Sequence, residues 1–394
     1  MSEPINPSPI LPLDSIRGTS SFPGRAAVLG AGAWGTALAS ALQRAGISTT
    51  LWARRREAAD AINSQRCNPR YLPGIELAAG LRADSDLARA LRGAQLVIAA
   101  VPSASMREVA RLAAPHLAEG TAFVSASKGI EVQTGALMSR VLDEELGPHA
   151  LIGALGGPSF AAEVASGEPT LLTLAMPALQ RLQSGYLQAR RLADALADRL
   201  APAGVMLEPT WDAVGTQIGG VLKNMVAIAC GMAAAAGLGE NARAGIITHG
   251  LADMRRLTRA MGGRVDTLLG CSGIGDLFLT AASAHSRNTR LGMRLGETGG
   301  ALGDPKGELA EGALSVFSVE VLEQRYGLRL AVAAAVRDVL EARATPELAL
   351  RRLLREVPAS GRPSVIHLPR TAQSIVPAPG MVAPVFAAQG SARA

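Results

Sequence analysis

The chain has 394 residues, of which 48% are hydrophobic, 18% charged and 3% aromatic. Its length exceeds what one small core needs, and its composition is that of a globular protein, which excludes a wholly disordered chain. The net charge is +6, but the arginines are spread along the chain and aromatic residues for base stacking are scarce. We therefore expect a small anionic partner and no nucleic acid.

The two ends of the chain are rich in proline and small residues. Residues 1–24 lack the basic and then apolar pattern of a signal peptide and are interpreted as a flexible leader; residues 358–394 have no sustained period and are interpreted as a disordered tail. The most apolar stretch, from Met225 to Gly239, is shorter than the roughly 20 residues of a membrane span, so we expect a cytoplasmic protein without stable membrane insertion. The cysteines form no CxxC pair, which predicts neither a disulfide framework nor a metal site for Cys67, Cys230 and Cys271.

Strands and helices alternate in the first half of the chain. Strands are predicted over 25–29, 48–52, 95–102, 121–127 and 150–155, and helices over 35–45, 55–65, 105–117 and 135–146. Apolar strands separated by helix-length segments are typical of a parallel sheet covered on both faces, so residues 25–210 are predicted to form a Rossmann-type doubly wound domain in an α/β fold.

Only helical patterns follow Thr210. They cover 210–237, 243–261, 287–295, 315–326 and 330–342. Residues 211–357 are therefore predicted to form an all-helical C-terminal domain for substrate binding and catalysis.

Three glycines follow the first predicted strand. Gly30, Gly32 and Gly35 have the spacing G-x-G-x-x-G, with Ala33 and Trp34 between the last two. In a βαβ unit the first glycine makes a tight turn, the second lets a pyrophosphate approach the backbone and the third permits close helix packing. The motif predicts dinucleotide binding; the alternative is a plain glycine-rich turn.

The end of the second predicted strand bears on the choice of dinucleotide. An acidic residue there would hold the ribose 2′-hydroxyl of NAD, whereas this chain has Arg54, Arg55 and Arg56. Arginines favour the 2′-phosphate of NADP, although Glu57 leaves NAD open. The alternative is a solvated basic start of a helix.

A dehydrogenase needs a group that takes the proton of an alcohol. The five histidines lie in no evident catalytic setting, but Lys223 is a single cation in an apolar helical pattern, next to Asn224 and one turn after Gly219 and Gly220. Burial lowers the pKa of a lysine toward neutrality, and a nearby cation lowers it further. The alternative is a lysine that extends to the surface.

Seven motifs in a fixed order resemble the bacterial NAD(P)-dependent glycerol-3-phosphate dehydrogenases. Between Arg25 and Val357 they read GAGAWGTALA, SASKGIE, GGPSFAAEVASGEPT, GGVLKNMVAIACGM, GLGENARAGIITHGLADM, GIGDLFLT and HSRNTRLG. The resemblance implies hydride transfer between NAD(P)H and dihydroxyacetone phosphate, which gives glycerol 3-phosphate for glycerophospholipid synthesis.

The resemblance also implies residue roles. Lys223 would accept the proton, Lys128 would touch both substrate and cofactor, and Asp276 would contact the substrate and position Lys223. Further substrate contacts are implied for Gly157, Ser159, Asn224, Ser286, Arg287 and Asn288, the last three at the phosphate. Further cofactor contacts are implied for Ala161, Arg287, Leu309 and Glu311, with NADP favoured over NAD.

Some features depart from that family or leave alternatives open. Ala33 stands where relatives often have serine, and Leu309 where they often have valine. Outside the motif context, Asp276 could be a turn residue, Lys128 a helix-end lysine and Ser286 a plain helix cap. Another lysine-dependent dehydrogenase, of the 3-hydroxyisobutyrate or 6-phosphogluconate type, and a non-catalytic NADP-binding sensor remain alternative functions. The oligomeric state stays open, with a homodimer among the alternatives.

Overall fold

The computed structural model describes residues 24–180, 183–283, 286–300 and 315–358. The predicted leader, except for its last residue, and the predicted tail, except for its first, fall outside these ranges. Leu309 and Glu311 also lie outside the described residues, so their implied cofactor contacts stay predictions.

One sheet runs through the first part of the described chain. Its strands are β1 (Arg25–Leu29), β2 (Ser48–Trp52), β3 (Arg82–Asp84), β4 (Leu96–Ala99), β5 (Thr121–Ser125), β6 (Ala150–Gly156), β7 (Thr170–Ala175) and β8 (Val205–Thr210). They lie side by side in the order β3-β2-β1-β4-β5-β6-β7-β8. The order reverses between β1 and β4, which is the hallmark of a doubly wound sheet and confirms the Rossmann-type prediction.

The sheet is mixed, whereas the prediction is a wholly parallel one. β7 pairs antiparallel with β6, with Leu155 opposite Leu174, and β8 then pairs parallel with β7. No strand is predicted at β3, β7 or β8. β3 has only three residues, and β8 is an edge strand that contains Pro209, so both give a weak strand signal.

Seven helices of the described residues accompany the sheet and cover both of its faces. They are α1 (Ala33–Arg44), α2 (Arg56–Gln65), α3 (Leu87–Leu91), α4 (Met106–Ala113), α5 (Met138–Leu146), α6 (Ala161–Ser166) and α7 (Tyr186–Leu200). Apolar residues of α1, α2, α6 and α7 share one core with the sheet, and those of α3, α4 and α5 share the other. No helix is predicted at α7, although Leu192, Leu196 and Leu200 recur at helical spacing and are buried.

Helices alone follow the sheet in the described part of the chain. They are α8 (Ala213–Ala235), α9 (Glu240–Ala260), α10 (Asp276–Ala282), α11 (Arg287–Glu297), α12 (Glu320–Tyr326), α13 (Ala331–Leu340) and α14 (Pro346–Arg355). Their apolar faces form one core around α8. The predicted helical region is therefore confirmed in kind, with α10 and α14 added to the predicted set.

Helix α8 is the centre of that core. It begins before the Met225–Gly239 stretch and is 23 residues long, which would suffice to cross a membrane by length and composition, but 83% of its most apolar window is buried inside the protein. A Cβ on Gly231 would lie 2.1 Å from the Thr289 carbonyl oxygen, and one on Gly292 would lie 1.9 Å from that of Ile228. The backbones of α8 and α11 are therefore in direct contact.

Candidate active site

The glycine turn between β1 and α1 uses each of its glycines differently. Gly30 has φ +109°, and a Cβ there would lie 2.7 Å from the Ala100 carbonyl oxygen; a Cβ on Gly35 would lie 1.9 Å from the carbonyl oxygen of Gly30. Both positions exclude a side chain for reasons internal to the fold. At Gly32, none of the described residues lies within 4 Å of a Cβ. The second glycine therefore faces open space, where a pyrophosphate can approach the backbone.

The start of α1 also suits an anionic ligand. Gly32 is its N-cap, and no side chain of the described residues caps the helix. Uncapped N–H groups and the positive end of the helix dipole attract phosphate. The indole Nε1 of Trp34 is buried without a hydrogen-bond partner in the described part of the chain. The residues present thus fit a dinucleotide, which the backbone of Gly32, Ala33 and Trp34 could hold.

Asn68 holds the glycine turn in place, and no sequence pattern points to it. It is 3% exposed, and its Nδ2 donates to the Ala31 carbonyl oxygen at 3.1 Å and to the Thr36 Oγ1 at 2.8 Å. Since an unmade hydrogen bond would leave its buried amide unsatisfied, Asn68 restrains both sides of the turn.

The arginines that favour NADP lie beside the turn. Gly30 N donates to the Trp52 carbonyl oxygen at 3.1 Å, so the residues that follow β2 emerge next to the glycine turn. Arg54 and Arg55 are exposed there, whereas Arg56 pairs with Asp60 within α2. Two exposed guanidinium groups at this edge of the sheet are suited to a 2′-phosphate.

Lys128, Lys223 and Asp276 form one cluster, called here the lysine cluster. Asp276 Oδ1 accepts from Lys223 Nζ at 2.5 Å, and Asp276 Oδ2 accepts from Lys128 Nζ at 2.8 Å. Lys128 Nζ also donates to the Gly157 carbonyl oxygen at 2.9 Å and to Ser159 Oγ at 3.4 Å. The structure therefore brings together residues that the sequence separates by as many as 148 positions.

Close packing places the members of the lysine cluster. A Cβ on Gly219 would lie 2.0 Å from the Ser272 carbonyl oxygen, so α8 touches the turn that leads into α10. A Cβ on Gly220 would lie 3.4 Å from Lys128 Cγ, so the stem of that lysine runs along α8. The glycines one turn before Lys223 thus permit the approach of both its partners.

The charges of the cluster set the proton affinity of Lys223. Its side chain is 9% exposed and that of Asp276 1% exposed. The pKa of Lys223 is lowered to about 7: burial lowers it most, the nearby ammonium of Lys128 also lowers it, and the carboxylate of Asp276 opposes both effects. A lysine with such a pKa exchanges its proton near neutrality, which an arginine cannot do.

Thr280 belongs to the same site and is missed by the sequence analysis. Its Oγ1 accepts from Lys223 Nζ at 2.9 Å and donates to the Asp276 carbonyl oxygen at 2.7 Å. The available signal is its position four residues after Asp276, which places both side chains on one face of α10.

The start of α11 adjoins this site. Ser286 is buried, and its Oγ accepts from Thr289 N at 3.3 Å as the N-cap of α11. Thr289 Oγ1 donates to the Thr280 carbonyl oxygen at 2.9 Å, which ties α11 to the helix that carries Asp276. Arg287 is exposed, and Asn288 is half-buried in the first turn.

Two other predicted contact residues lie on helices that carry or adjoin parts of the site. Asn224 is half-buried next to Lys223, and Ala161 is the half-buried first residue of α6, which packs on α1. The described site residues therefore extend from the arginines after β2, past the glycine turn, to the lysine cluster and the start of α11.

Both parts of the chain match models of one family. Residues 25–181 match the N-terminal model of the NAD-dependent glycerol-3-phosphate dehydrogenases, and residues 212–351 match the C-terminal model. The chain belongs to the NAD-dependent glycerol-3-phosphate dehydrogenase family. This confirms the resemblance carried by the seven motifs.

Individual glycerol-3-phosphate dehydrogenases share most of the chain. The glycerol-3-phosphate dehydrogenase [NAD(P)+] of Rhodospirillum rubrum is 44% identical over 317 residues, which cover 80% of this chain and 87% of that protein. The Mesorhizobium japonicum protein of the same name is 41% identical over 337 residues, covering 86% and 93%. The crystal structure of glycerol-3-phosphate dehydrogenase from Coxiella burnetii has 32% identity and a TM-score of 0.75, covering 84% of this chain and 99% of that one.

Membership in the glycerol-3-phosphate dehydrogenase family bears on the other predictions. It confirms an oxidoreductase family that uses NAD or NADP, and it gives no support to the 3-hydroxyisobutyrate and 6-phosphogluconate alternative. It implies a small phosphorylated substrate. The roles of single residues stay predictions, supported by the geometry of the lysine cluster.

Proposed function

We propose that this chain catalyses reversible hydride transfer between NAD(P)H and dihydroxyacetone phosphate, with glycerol 3-phosphate as the other three-carbon substrate. One observation carries the proposal: a buried lysine with a pKa lowered to about 7 shares a carboxylate with a second lysine, in a chain of this dehydrogenase family. The bound nicotinamide would supply or accept the hydride.

Lys223 is the proposed general base and acid. In the oxidation direction its neutral amine takes the proton of the C2 hydroxyl of glycerol 3-phosphate while a hydride passes from C2 to the nicotinamide. In the reduction direction its ammonium returns that proton to the carbonyl oxygen. Asp276 and Thr280 fix the Lys223 Nζ by hydrogen bonds at 2.5 and 2.9 Å, so the amine is already oriented before the substrate binds.

Lys128 is proposed to bind the reacting end of the substrate. Its Nζ keeps a positive charge at the cluster, where a developing negative charge on the substrate oxygen is stabilised. Ser159 and the half-buried Asn224 would add hydrogen bonds to the same oxygens. Gly157, whose carbonyl oxygen accepts from Lys128 Nζ, holds that lysine in place.

The start of α11 is the proposed phosphate site. The first turn of α11 lies at the positive end of an 11-residue helix, which attracts anions, and Arg287 and Asn288 add a charge and an amide. The Thr289 bond to Thr280 keeps this site close to Lys223, so one small molecule can reach both.

Three further features belong to the proposal. NADP is favoured over NAD because Arg54 and Arg55 flank the glycine turn, and Arg287 and Ala161 are proposed to touch the cofactor. The protein would act in the cytoplasm without membrane insertion, and its product would supply the backbone of glycerophospholipids. A homodimer is left open.

A turnover assay tests the proposal. Purified protein is given dihydroxyacetone phosphate with NADPH or with NADH, and the oxidation of the nicotinamide is followed by absorbance. We expect turnover with both and a lower KM for NADPH. 3-Hydroxyisobutyrate and 6-phosphogluconate with NADP serve as controls and should give none. NADPH binding without turnover would indicate the sensor function and contradict the proposal.

A further inference from the structure

The loop that carries Lys128 joins the sheet to the helical core. The loop 128–137 follows β5 and is closed on itself by an antiparallel bridge between Ile130 and Leu137. Both of these apolar side chains are buried in the core around α8, not in the cores of the sheet. The loop therefore leaves the sheet with Lys128 and enters the other part of the protein two residues later.

Two polar contacts secure the loop against the helical part. Arg325 donates to the Thr134 carbonyl oxygen at 2.6 Å. At the start of α5, just after the loop, Gln217 of α8 accepts from Ser139 N at 3.0 Å and donates to Ser139 Oγ at 2.7 Å. The position of the loop relative to Lys223, six residues further along α8, is thus restrained.

On the sheet side, the guanidinium group of Arg107 holds the loop. Arg107 of α4 donates to both oxygens of Glu131, from Nε at 2.7 Å and from Nη2 at 2.8 Å. Glu131 also accepts from Thr134 Oγ1 at 2.5 Å. The pair is largely buried, with 27% and 10% of the two side chains exposed. A two-pronged, partly buried contact of this kind is strong and directional.

Arg107 has two more carboxylate partners, and neither lies on the loop. Its Nη1 donates to Glu145 Oε1 and its Nη2 to Glu144 Oε2, each at 2.8 Å. Hydrogen bonds from Arg107 hold the pKa of Glu131 below its ordinary value, and bonds from Arg107 do the same for Glu145. The three carboxylates thus share one arginine, but only Glu131 is three residues from Lys128.

We infer that Glu131 and Arg107 are positioning residues for the reaction: by fixing the loop 128–137 they hold Lys128 at Asp276, beside Lys223. Lys128 has a flexible stem, and Gly129 follows it. With the loop released, Lys128 Nζ keeps Gly157 and Ser159 as acceptors, but the main chain that brings it to Asp276 is no longer fixed, and we expect the ammonium to move away from that carboxylate. The Asp276 carboxylate then binds Lys223 alone, and the ammonium of Lys128 no longer repels that of Lys223. Both changes favour the ammonium form of Lys223 and raise its pKa.

The composition of the chain makes this measurable without an activity assay. It contains only three lysines, Lys128, Lys223 and Lys306, among 39 lysine and arginine residues. Protein labelled with ¹³Cε-lysine therefore gives three side-chain resonances, and the one that disappears in Lys223→Met belongs to Lys223. Among the described residues the charged groups at Lys223 are Lys128 and Asp276, so its titration reports on the position of Lys128.

Glu131→Gln is the test and Glu145→Gln the matched control. Both remove one carboxylate from Arg107, and the two side chains are similarly buried, with 10% and 13% exposed. We expect the pKa of Lys223 to rise by about one pH unit in Glu131→Gln and to stay unchanged in Glu145→Gln. The pH profile of the oxidation rate should move upward in parallel, with unchanged affinity for NADPH.

The outcome decides the inference in either direction. It is overturned if folded Glu131→Gln titrates like the parent, or if Glu145→Gln shifts Lys223 equally. Should Glu131→Gln fail to fold, Arg107→Lys keeps the charge but loses the two-pronged contact and is judged in the same way. The inference rests on the proposed role of Lys223, but the titration needs no turnover. An inactive parent protein would reject the proposed function and leave the positioning test intact.

Discussion

The glycine turn and the lysine cluster lie in one candidate site, but the chain builds them by opposite means. The turn is a single stretch of six residues, 30–35, which depends on the absence of a side chain at its three glycine positions. The cluster assembles long charged side chains from three distant segments and buries them. The turn tolerates no Cβ at Gly30 or Gly35. The cluster depends on the mutual positions of two lysine side chains and one carboxylate, which together set the pKa of Lys223.

Removing the base should produce the largest effect on the cluster. We expect Lys223→Met, which preserves much of the side-chain volume, to reduce kcat about 10³-fold in both directions because methionine cannot accept or return the proton. Cofactor affinity should be unchanged, since the glycine turn is untouched; the change in tryptophan fluorescence on titration with NADPH measures it. A kcat within tenfold of the parent would remove Lys223 from the mechanism.

Two alanine substitutions in the turn should separate folding from binding. Gly35→Ala forces a Cβ to within 1.9 Å of a backbone oxygen and should cost about 3 kcal/mol of unfolding free energy. Gly32→Ala meets no described residue, so it should unfold like the parent yet bind NADPH at least about tenfold more weakly, a loss of about 1.4 kcal/mol. Urea unfolding and NADPH titration measure the two effects. Equal affinity in Gly32→Ala would place the pyrophosphate elsewhere.

The pH dependence should come from the cluster and not from the turn. Because the pKa of Lys223 is lowered to about 7, its neutral form is scarce in acid. The oxidation rate at saturating substrate should therefore rise about tenfold per pH unit below 7 and level off above it. The reduction rate, which needs the ammonium form, should fall as pH rises through the same value. A flat oxidation profile between pH 6 and 8 would contradict this.

Thr280 offers a milder change within the cluster. Thr280→Val retains the shape but loses the acceptor for Lys223, and the loss of one hydrogen bond to a charged group should lower kcat about tenfold, near 1.5 kcal/mol. Thr280→Ser retains the hydroxyl group and serves as the control, with near-parental kcat. If both variants behave alike, the hydroxyl has no part in holding Lys223.

The smallest effect is expected beside the turn. Arg55→Ala should raise the KM for NADPH by about threefold to tenfold and leave the KM for NADH unchanged, because an exposed guanidinium gives little energy in water. The difference should shrink at high salt. An equal change for both cofactors would show that Arg55 does not contact the 2′-phosphate.

The same contrast explains how much the sequence alone predicts. The turn is local, so its strand, glycines and helix are evident in one stretch, and the strands β1 and β2 have the bounds that their apolar patterns predict. The direction of β7 is not local. Its apolar residues suit either orientation, and the antiparallel pairing with β6 depends on how the chain returns.

The cluster is only partly evident in the sequence. Lys223 is conspicuous as a cation in an apolar helix, but its distance from Asp276 and Thr280 depends on tertiary packing across more than 50 residues. One compositional signal was available: a chain that uses arginine for nearly every positive charge keeps only three lysines. Two of these three meet at Asp276, where a titratable amine is needed and a permanent cation would fail.

The glycine contact between α8 and α11 fixes the distance between these two helices, and with it the length of substrate that the proposed site can hold. Because the two backbones touch at Gly231 and Gly292, no change of side-chain rotamer at these positions can alter the distance between α8 and α11. Helix α8 carries Lys223, and α11 begins at the proposed phosphate site. The distance between these two groups is therefore set by contacts between main chains. If the start of α11 binds the phosphate as proposed, a substrate with one carbon fewer or more between alcohol and phosphate would have to change its own conformation, because the helix packing cannot adjust to it.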